Sequence, residues 1–111
     1  MTLEFQIFCG LDTNGRDVDA EKLLSDLAIK YFPDGHSLQE VTGRWARRDH
    51  YGPTSEILTE RTIVVIWQVS EVQNVDGRAE RLVGRFAKAY KDGAYQEAVL
   101  ISKRELDCWM I

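Results

Sequence analysis

The residue pattern predicts one α+β domain whose elements run strand, helix, strand, strand, helix, strand. Three observations predict it. Two segments carry the same helical stripe, Ala20, Leu23, Leu24, Leu27, Ala28 and Tyr31 in one, Ala79, Leu82, Val83, Phe86, Ala87 and Tyr90 in the other. Apolar residues recurring at three- and four-residue steps make one buried helical face. Between them stands Ile63-Val64-Val65-Ile66-Trp67, β-branched and apolar on both faces, which belongs in the middle of a sheet. Phe32-Pro33-Asp34-Gly35 stops the first helix and turns the chain into a second strand.

Each element has its own signal. Leu3 to Cys9 alternates and then becomes fully apolar, a strand with one face more exposed than the other. Gly10 to Gly15 is turn-rich, and Asp17 or Asp19 caps the helix that follows. With Asp19 as cap, Val18 and Leu23 fall at the positions of a hydrophobic staple. Ser37 to Arg47 reads as a strand with Leu38, Glu40, Thr42 and Arg44 on one side, Gln39, Val41, Gly43 and Trp45 on the other. Arg48 to Ser55 reads as a polar turn around Gly52-Pro53, and Ile57 to Val69 as the central strand. Asn74 or Asp76 caps the second helix, and Gly93 marks its end. Ala98 to Ile101 begins a last strand, interrupted by polar Ser102 to Glu105 and resumed at Leu106 to Trp109. Right-handed crossovers and one hairpin arrange this order as a four-stranded antiparallel sheet with both helices on one face, the ferredoxin-like βαββαβ arrangement. It is expected to span residues 1–111 as one domain.

The chain has 111 residues, enough for one core without staples. Its 14 basic and 18 acidic side chains give a formal net charge of −4, so DNA and RNA are poor partners. No apolar run reaches the roughly 20 residues that span a bilayer. The start lacks a basic segment followed by an apolar one, so a cytoplasmic location is expected. Cys9 and Cys108 read as two reduced, buried thiols.

A hairpin centred on Gly52 sets Arg44 opposite Glu60, Thr42 opposite Thr62 and Leu38 opposite Ile66 on the sheet face without helices. That face then holds Glu4, Gln6, Arg44, Glu60 and Thr62 among Phe8, Val64 and Ile66. Such a mixture suits a second copy of the chain, or a small ligand held by a few polar groups between apolar walls. The plainer reading is a solvated cross-strand ion pair worth at most about 1 kcal/mol.

His36 and His50 have no partners at metal-ligand spacing, and no cofactor motif is present. Gly10 and Gly15 flank a strand-to-helix turn without the lysine of a phosphate loop, and Cys9 has no base near it in sequence. Arg44, Arg47 and Arg48 with Trp45 and Tyr51 form a cluster able to grip a nucleotide, or simply a solvated hairpin tip.

Phe32-Pro33-Asp34-Gly35, Gly43-x-Trp45, Thr59-Glu60 before an apolar strand, and Tyr90 with Gln96-Glu97-x-Val99-Leu100 together resemble the uncharacterised bacterial domain-of-unknown-function family 3574, over residues 3–109. Tyr31, Thr59, Thr62 and Ala98 depart from that pattern. The resemblance brings no activity with it; it implies that Asp34, Trp45, Glu60 and Gln96 merit testing.

Taken together, the sequence points to a cytosolic ligand-binding or interaction module that dimerises through its bare sheet face. Arg44 and Glu60 orient a small polar or nucleotide ligand, Trp45 or Phe8 walls it, and Thr62 and Gln96 add hydrogen bonds. Two alternatives stand beside this. One is a small enzyme with Glu60 as general base. The other is a phage accessory protein that sequesters a signalling nucleotide or binds a host factor.

Overall fold

A computed structural model describes residues 1–109, with the side chain of Trp45 outside the description. The elements are β1 (Thr2–Gly10), α1 (Ala20–Tyr31), β2 (Ser37–Asp49), β3 (Gly52–Ser70), α2 (Arg78–Gly93) and β4 (Leu100–Leu106), with two 3-10 turns at Glu71–Gln73 and Val75–Gly77. The strands form one antiparallel sheet in the order β2-β3-β1-β4. This is the expected ferredoxin-like topology, with β1 and β3 in the middle.

The core lies between one sheet face and the two helices. Leu3, Phe5, Ile7 and Cys9 of β1 and Val65 of β3 meet Leu24 and Ala28 of α1 and Ala79, Val83, Phe86 and Tyr90 of α2. Each large apolar side chain removed from water here stabilises the fold by about 1.5–3 kcal/mol. Phe32 is the hub of an aromatic cluster, 4.8 Å from the Trp67 ring and 5.1 Å from Phe86. Gly93 lets the helices close together, because a side chain there would run into Leu23.

The helix ends follow their signals in part. Asp19 caps α1, its carboxylate accepting from the Lys22 amide at 3.1 Å. Neither expected residue is the N-cap of α2, which is Gly77; Asn74 instead reaches forward from the preceding turn, its side-chain oxygen accepting from the Ala79 amide at 2.7 Å. Gly35 leaves the first helix at φ 136, a value that favours glycine.

Three further features differ from expectation. The β2–β3 turn is tighter: only His50 and Tyr51 separate the strands, and a register shift between Ala46 and Arg48 follows. Arg44 therefore pairs with Thr59, Gly43 with Glu60, Val41 with Thr62, Thr42 with Arg61 and Leu38 with Val65. Second, β4 runs unbroken through Ser102 to Glu105. It is an edge strand, so its polar residues stay in water or find partners: Lys103 with Glu80 of α2 at 3.2 Å, and Arg104 with Glu4 across the sheet at 2.9 Å. Third, Cys9 is buried as expected but Cys108 is exposed, and both are free thiols.

The β1–β3 ladder stops at Gly10 and Thr62, whereas β2 and β3 pair on to Asp49 and Gly52. The hairpin thus projects past the sheet as a two-stranded arm, and the molecule measures 47 × 29 × 28 Å. No helix among the described residues is long and apolar enough to cross a membrane.

Candidate functional site

The end of β1 from which the arm projects gathers most of the polar residues singled out by the sequence. Gly10 closes the strand without a side chain, and the Glu60 carboxylate takes the space above it. A methyl group on Gly10 would overlap that carboxylate and would also meet the side-chain oxygen of Gln96. Glu60 Oε2 accepts from the Asp12 amide at 3.3 Å, and Gln96 Nε2 donates to the Asp12 carbonyl. The buried Tyr90 hydroxyl donates to the Gly10 carbonyl. Gly10 is therefore pinned by α2 while its open side receives Glu60.

The electrostatics follow from this packing. Partial burial pushes the Glu60 carboxyl above its ordinary value; the Asp12 amide opposes the rise and the Asp12 charge adds to it. The Tyr90 hydroxyl is raised by burial first, then by Cys9 and Glu60. Burial pushes the Cys9 thiol up to about 12, which leaves it protonated and unreactive.

Two loops are clamped over this end. Asp12 accepts from the Asn14 amide at 2.9 Å, and Thr13 donates to the Arg16 carbonyl at 2.7 Å. Asn14 donates across to the Tyr95 carbonyl at 2.5 Å, and the Arg16 guanidinium lies 4.9 Å from the centre of the Tyr95 ring. Asn14 and Tyr95 stand at φ 56 and 57. Asn tolerates that region; for a bulky residue it costs about 1–3 kcal/mol and persists only where the surroundings impose it. Asp12, Asn14, Arg16 and Tyr95 were not among the sequence candidates for this site. Asp12-Thr13-Asn14-Gly15 carried a turn signal, but nothing near Tyr95 announced that the second loop would meet it.

Of the residues nominated from sequence, Glu60, Gln96, Thr62 and Phe8 come together on the helix-free side of this end. Thr62, buried, pairs with Gly10, and half-buried Phe8 pairs with Val64 and Leu100. Arg44 does not join them. Its pairing with Thr59 puts it on the face that carries the helices, opposite to Glu60, so the proposed guanidinium–carboxylate pair does not form. Trp45 pairs through its backbone with Leu58, and its ring lies outside the described residues. The acid partners of the hairpin are taken elsewhere: Arg61 joins Glu40 at 2.7 Å and Glu21 at 2.9 Å, and Arg47 joins Glu56 at 3.1 Å.

A second acid on the helix-free face is structural. Glu4 is 5 % exposed. Its carboxylate accepts from Gln68 at 2.8 Å, from Gln6 at 3.0 Å and from Arg104 at 3.0 Å. The Gln68 bond, then Gln6 and Arg104, hold its pKa below the ordinary value against the desolvation that raises it. Fully satisfied and ionised, Glu4 stitches three strands together and is no base.

Glu60 and Asp12 thus form a pair of neighbouring acids, while the Tyr95 ring of the adjoining loop is covered by the Arg16 guanidinium. Two acids at the end of one strand suit a cationic group. Among the described residues no three His, Cys, Asp or Glu side chains are placed to hold a metal ion.

No family model matches the chain, and no curated protein matches it. Among solved structures it is similar to a phage SAM lyase in complex with S-methyl-5'-thioadenosine, with TM-score 0.65 and 18 % identity over 94 % of this chain and 81 % of that one. The apo state of a phage SAM lyase gives TM-score 0.63 and 18 % identity over 92 % of this chain and 78 % of that one. B. subtilis GlnK gives TM-score 0.51 and 16 % identity over 93 % and 84 %. At these identities the likeness establishes the shared α+β fold.

Proposed function

We propose that this protein binds an adenosine-bearing sulphonium at the head of β1 and cleaves it in the manner of a small S-adenosylmethionine lyase. The carrying observation is the acid pair Glu60 and Asp12 at the end of a sheet whose fold is shared with a SAM lyase. A sulphonium is a fixed positive charge, and carboxylates are groups that receive one. A nucleoside triphosphate fits less well. Two carboxylates repel its phosphates, and the nearby Arg16 is engaged on the Tyr95 ring.

Loss of the methionyl arm from S-adenosylmethionine leaves S-methyl-5'-thioadenosine. The substrate's own carboxylate attacks the methionyl carbon bonded to sulphur; that carbon–sulphur bond breaks, sulphur keeps the electron pair, and the arm leaves as homoserine lactone. Glu60 stabilises the cationic substrate through its charge, and the step transfers no proton. The Asp12 amide holds the Glu60 carboxylate, Gln96 anchors the Asp12 carbonyl, and Phe8 supplies the apolar wall.

The test is incubation of the protein with S-adenosylmethionine, followed by chromatography for S-methyl-5'-thioadenosine. Formation of the thioether, lost in Glu60→Gln, supports the reading. Calorimetry that detects neither S-adenosylmethionine nor S-methyl-5'-thioadenosine binding overturns it. Binding without turnover leaves the sequestering module as the function.

A second element of the proposal rests on the same sheet face. Leu100 is 64 % exposed there, beside half-buried Phe8 and Ile66. We take this patch as the contact with a second copy of the chain. Sedimentation should give a dimer that Leu100→Lys converts to monomer.

A further inference from the structure

The opposite end of the sheet carries a cavity that the reading above does not use. It has a volume of about 790 Å³, within the range of small-molecule sites. It opens between the last turn of α1, the end of β3 and the turns that lead into α2. We propose that this cavity binds a planar aromatic anion, its ring against Tyr31 and Trp67 and its charge between Lys30 and Arg78.

The aromatic wall is already set. Trp67 lies 4.8 Å from Phe32 and 5.9 Å from Phe5, so packing fixes it from behind while it stays half-exposed in front. Tyr31 meets Phe86 edge-on at 6.1 Å. Neither ring has to be ordered when a ligand arrives, which removes part of the entropic cost of binding. Val75, 62 % exposed, is an apolar side chain left in water at the rim.

The charges point to an anion. The chain as a whole is at −4, yet this cavity is lined by Lys30 and Arg78 against one acid, Asp34. The ion pairs among the described residues involve neither Lys30 nor Arg78. Lys30 instead rests 5.5 Å from the centre of the Tyr31 ring, at the aromatic wall itself. A carboxylate or phosphate on a flat ring meets both requirements, since guanidinium and ammonium groups make their strongest hydrogen bonds to such oxygens.

The experiment is amide chemical-shift mapping of the wild-type protein titrated with 1-naphthoate, 1-naphthyl phosphate and neutral 1-naphthalenemethanol. Saturable shifts confined to residues 30–34, 67–69 and 73–82 are expected for at least one anion. The tighter of the two identifies carboxylate or phosphate as the natural group. Lys30→Gln with Arg78→Gln should weaken the anion about tenfold or more and leave the alcohol unchanged. Both side chains are exposed, so the double variant is expected to give the same dispersed spectrum. No saturable shift for either anion, shifts centred on Gly10 and Gln96, or equal binding by variant and wild type would each overturn the proposal. S-adenosylmethionine plays no part in this test, so the two proposals fail separately.

Discussion

The Glu60 carboxylate occupies the space that any side chain on Gly10 would claim. The glycine's role here is vacancy, since its backbone is not in the left-handed region. Glu60 is also the flexible partner, so a methyl at position 10 displaces the acid without breaking the strand. Gly10→Ala is therefore expected to leave the melting temperature within a few degrees of wild type. It should lower S-adenosylmethionine binding or turnover about tenfold or more, read by calorimetry and thioether formation.

Glu60 itself gives a pH signature. Its folded-state pKa is raised, so the folded protein holds this proton more tightly than the unfolded chain does. The group then favours folding at low pH, and that advantage fades as pH rises through the ordinary glutamate value towards the folded one. Glu60→Gln removes the cost of the buried charge. The variant should melt above wild type at pH 7, and the difference should shrink as the pH is lowered through the carboxylate range.

Glu4 behaves in the opposite sense. Its pKa is lowered by Gln68, Gln6 and Arg104, so its contribution is present above the ordinary glutamate value and is lost as pH falls through the depressed one. Glu4→Gln keeps the shape and removes the charge. It should cost about 1–2 kcal/mol in urea unfolding at pH 7 and nothing once wild-type Glu4 is itself protonated.

Arg44 and Glu60 provide a check on the hairpin register. With Arg44 across from Thr59 and Glu60 across from Gly43, the two charges lie on opposite sides of the sheet. A double-mutant cycle on Arg44→Ala and Glu60→Ala should give a coupling energy indistinguishable from zero. The same cycle on Arg61 and Glu40, joined at 2.7 Å, should give a measurable coupling that salt diminishes.

Tyr90 links the core to the site through its hydroxyl on the Gly10 carbonyl. Tyr90→Phe leaves a buried carbonyl without that donor. It is expected to cost about 1–3 kcal/mol by urea unfolding, and to loosen the Gly10–Asp12 turn on which Glu60 rests.

The elements were legible because local signals and tertiary packing agree. Two matched helical stripes, an apolar central strand and Pro33 with Gly35 left little room for another order. Asp19 caps α1 because its short polar side chain meets a free amide there, whereas α2 starts at Gly77 and Asn74 only reaches its second amide from the turn before. The site was legible in composition more than in geometry. Glu60, Thr62, Gln96 and Phe8 meet at one end of the sheet, but Arg44 fell on the wrong face through a one-residue error in pairing. The cause is local: a two-residue loop at His50 and Tyr51 and a shift near Ala46, neither marked by the Gly52-Pro53 turn signal. Because side chains alternate along a strand, that slip reversed the face of every residue it touched. The Asn14–Tyr95 clamp was illegible for a different reason. It joins positions 81 residues apart that only the folded topology brings together.

The strand order carries a consequence for synthesis. Of the four strands, the first to be made is a central one, and both its neighbours come later. Its partner on one side ends at Ser70, and on the other side Thr2 waits for Leu106. One edge of β1 therefore stays unpaired until Leu106 has been made. Closure of the sheet is a late event, and the interval before it is when this chain is most exposed to chaperones and to its own unfinished copies.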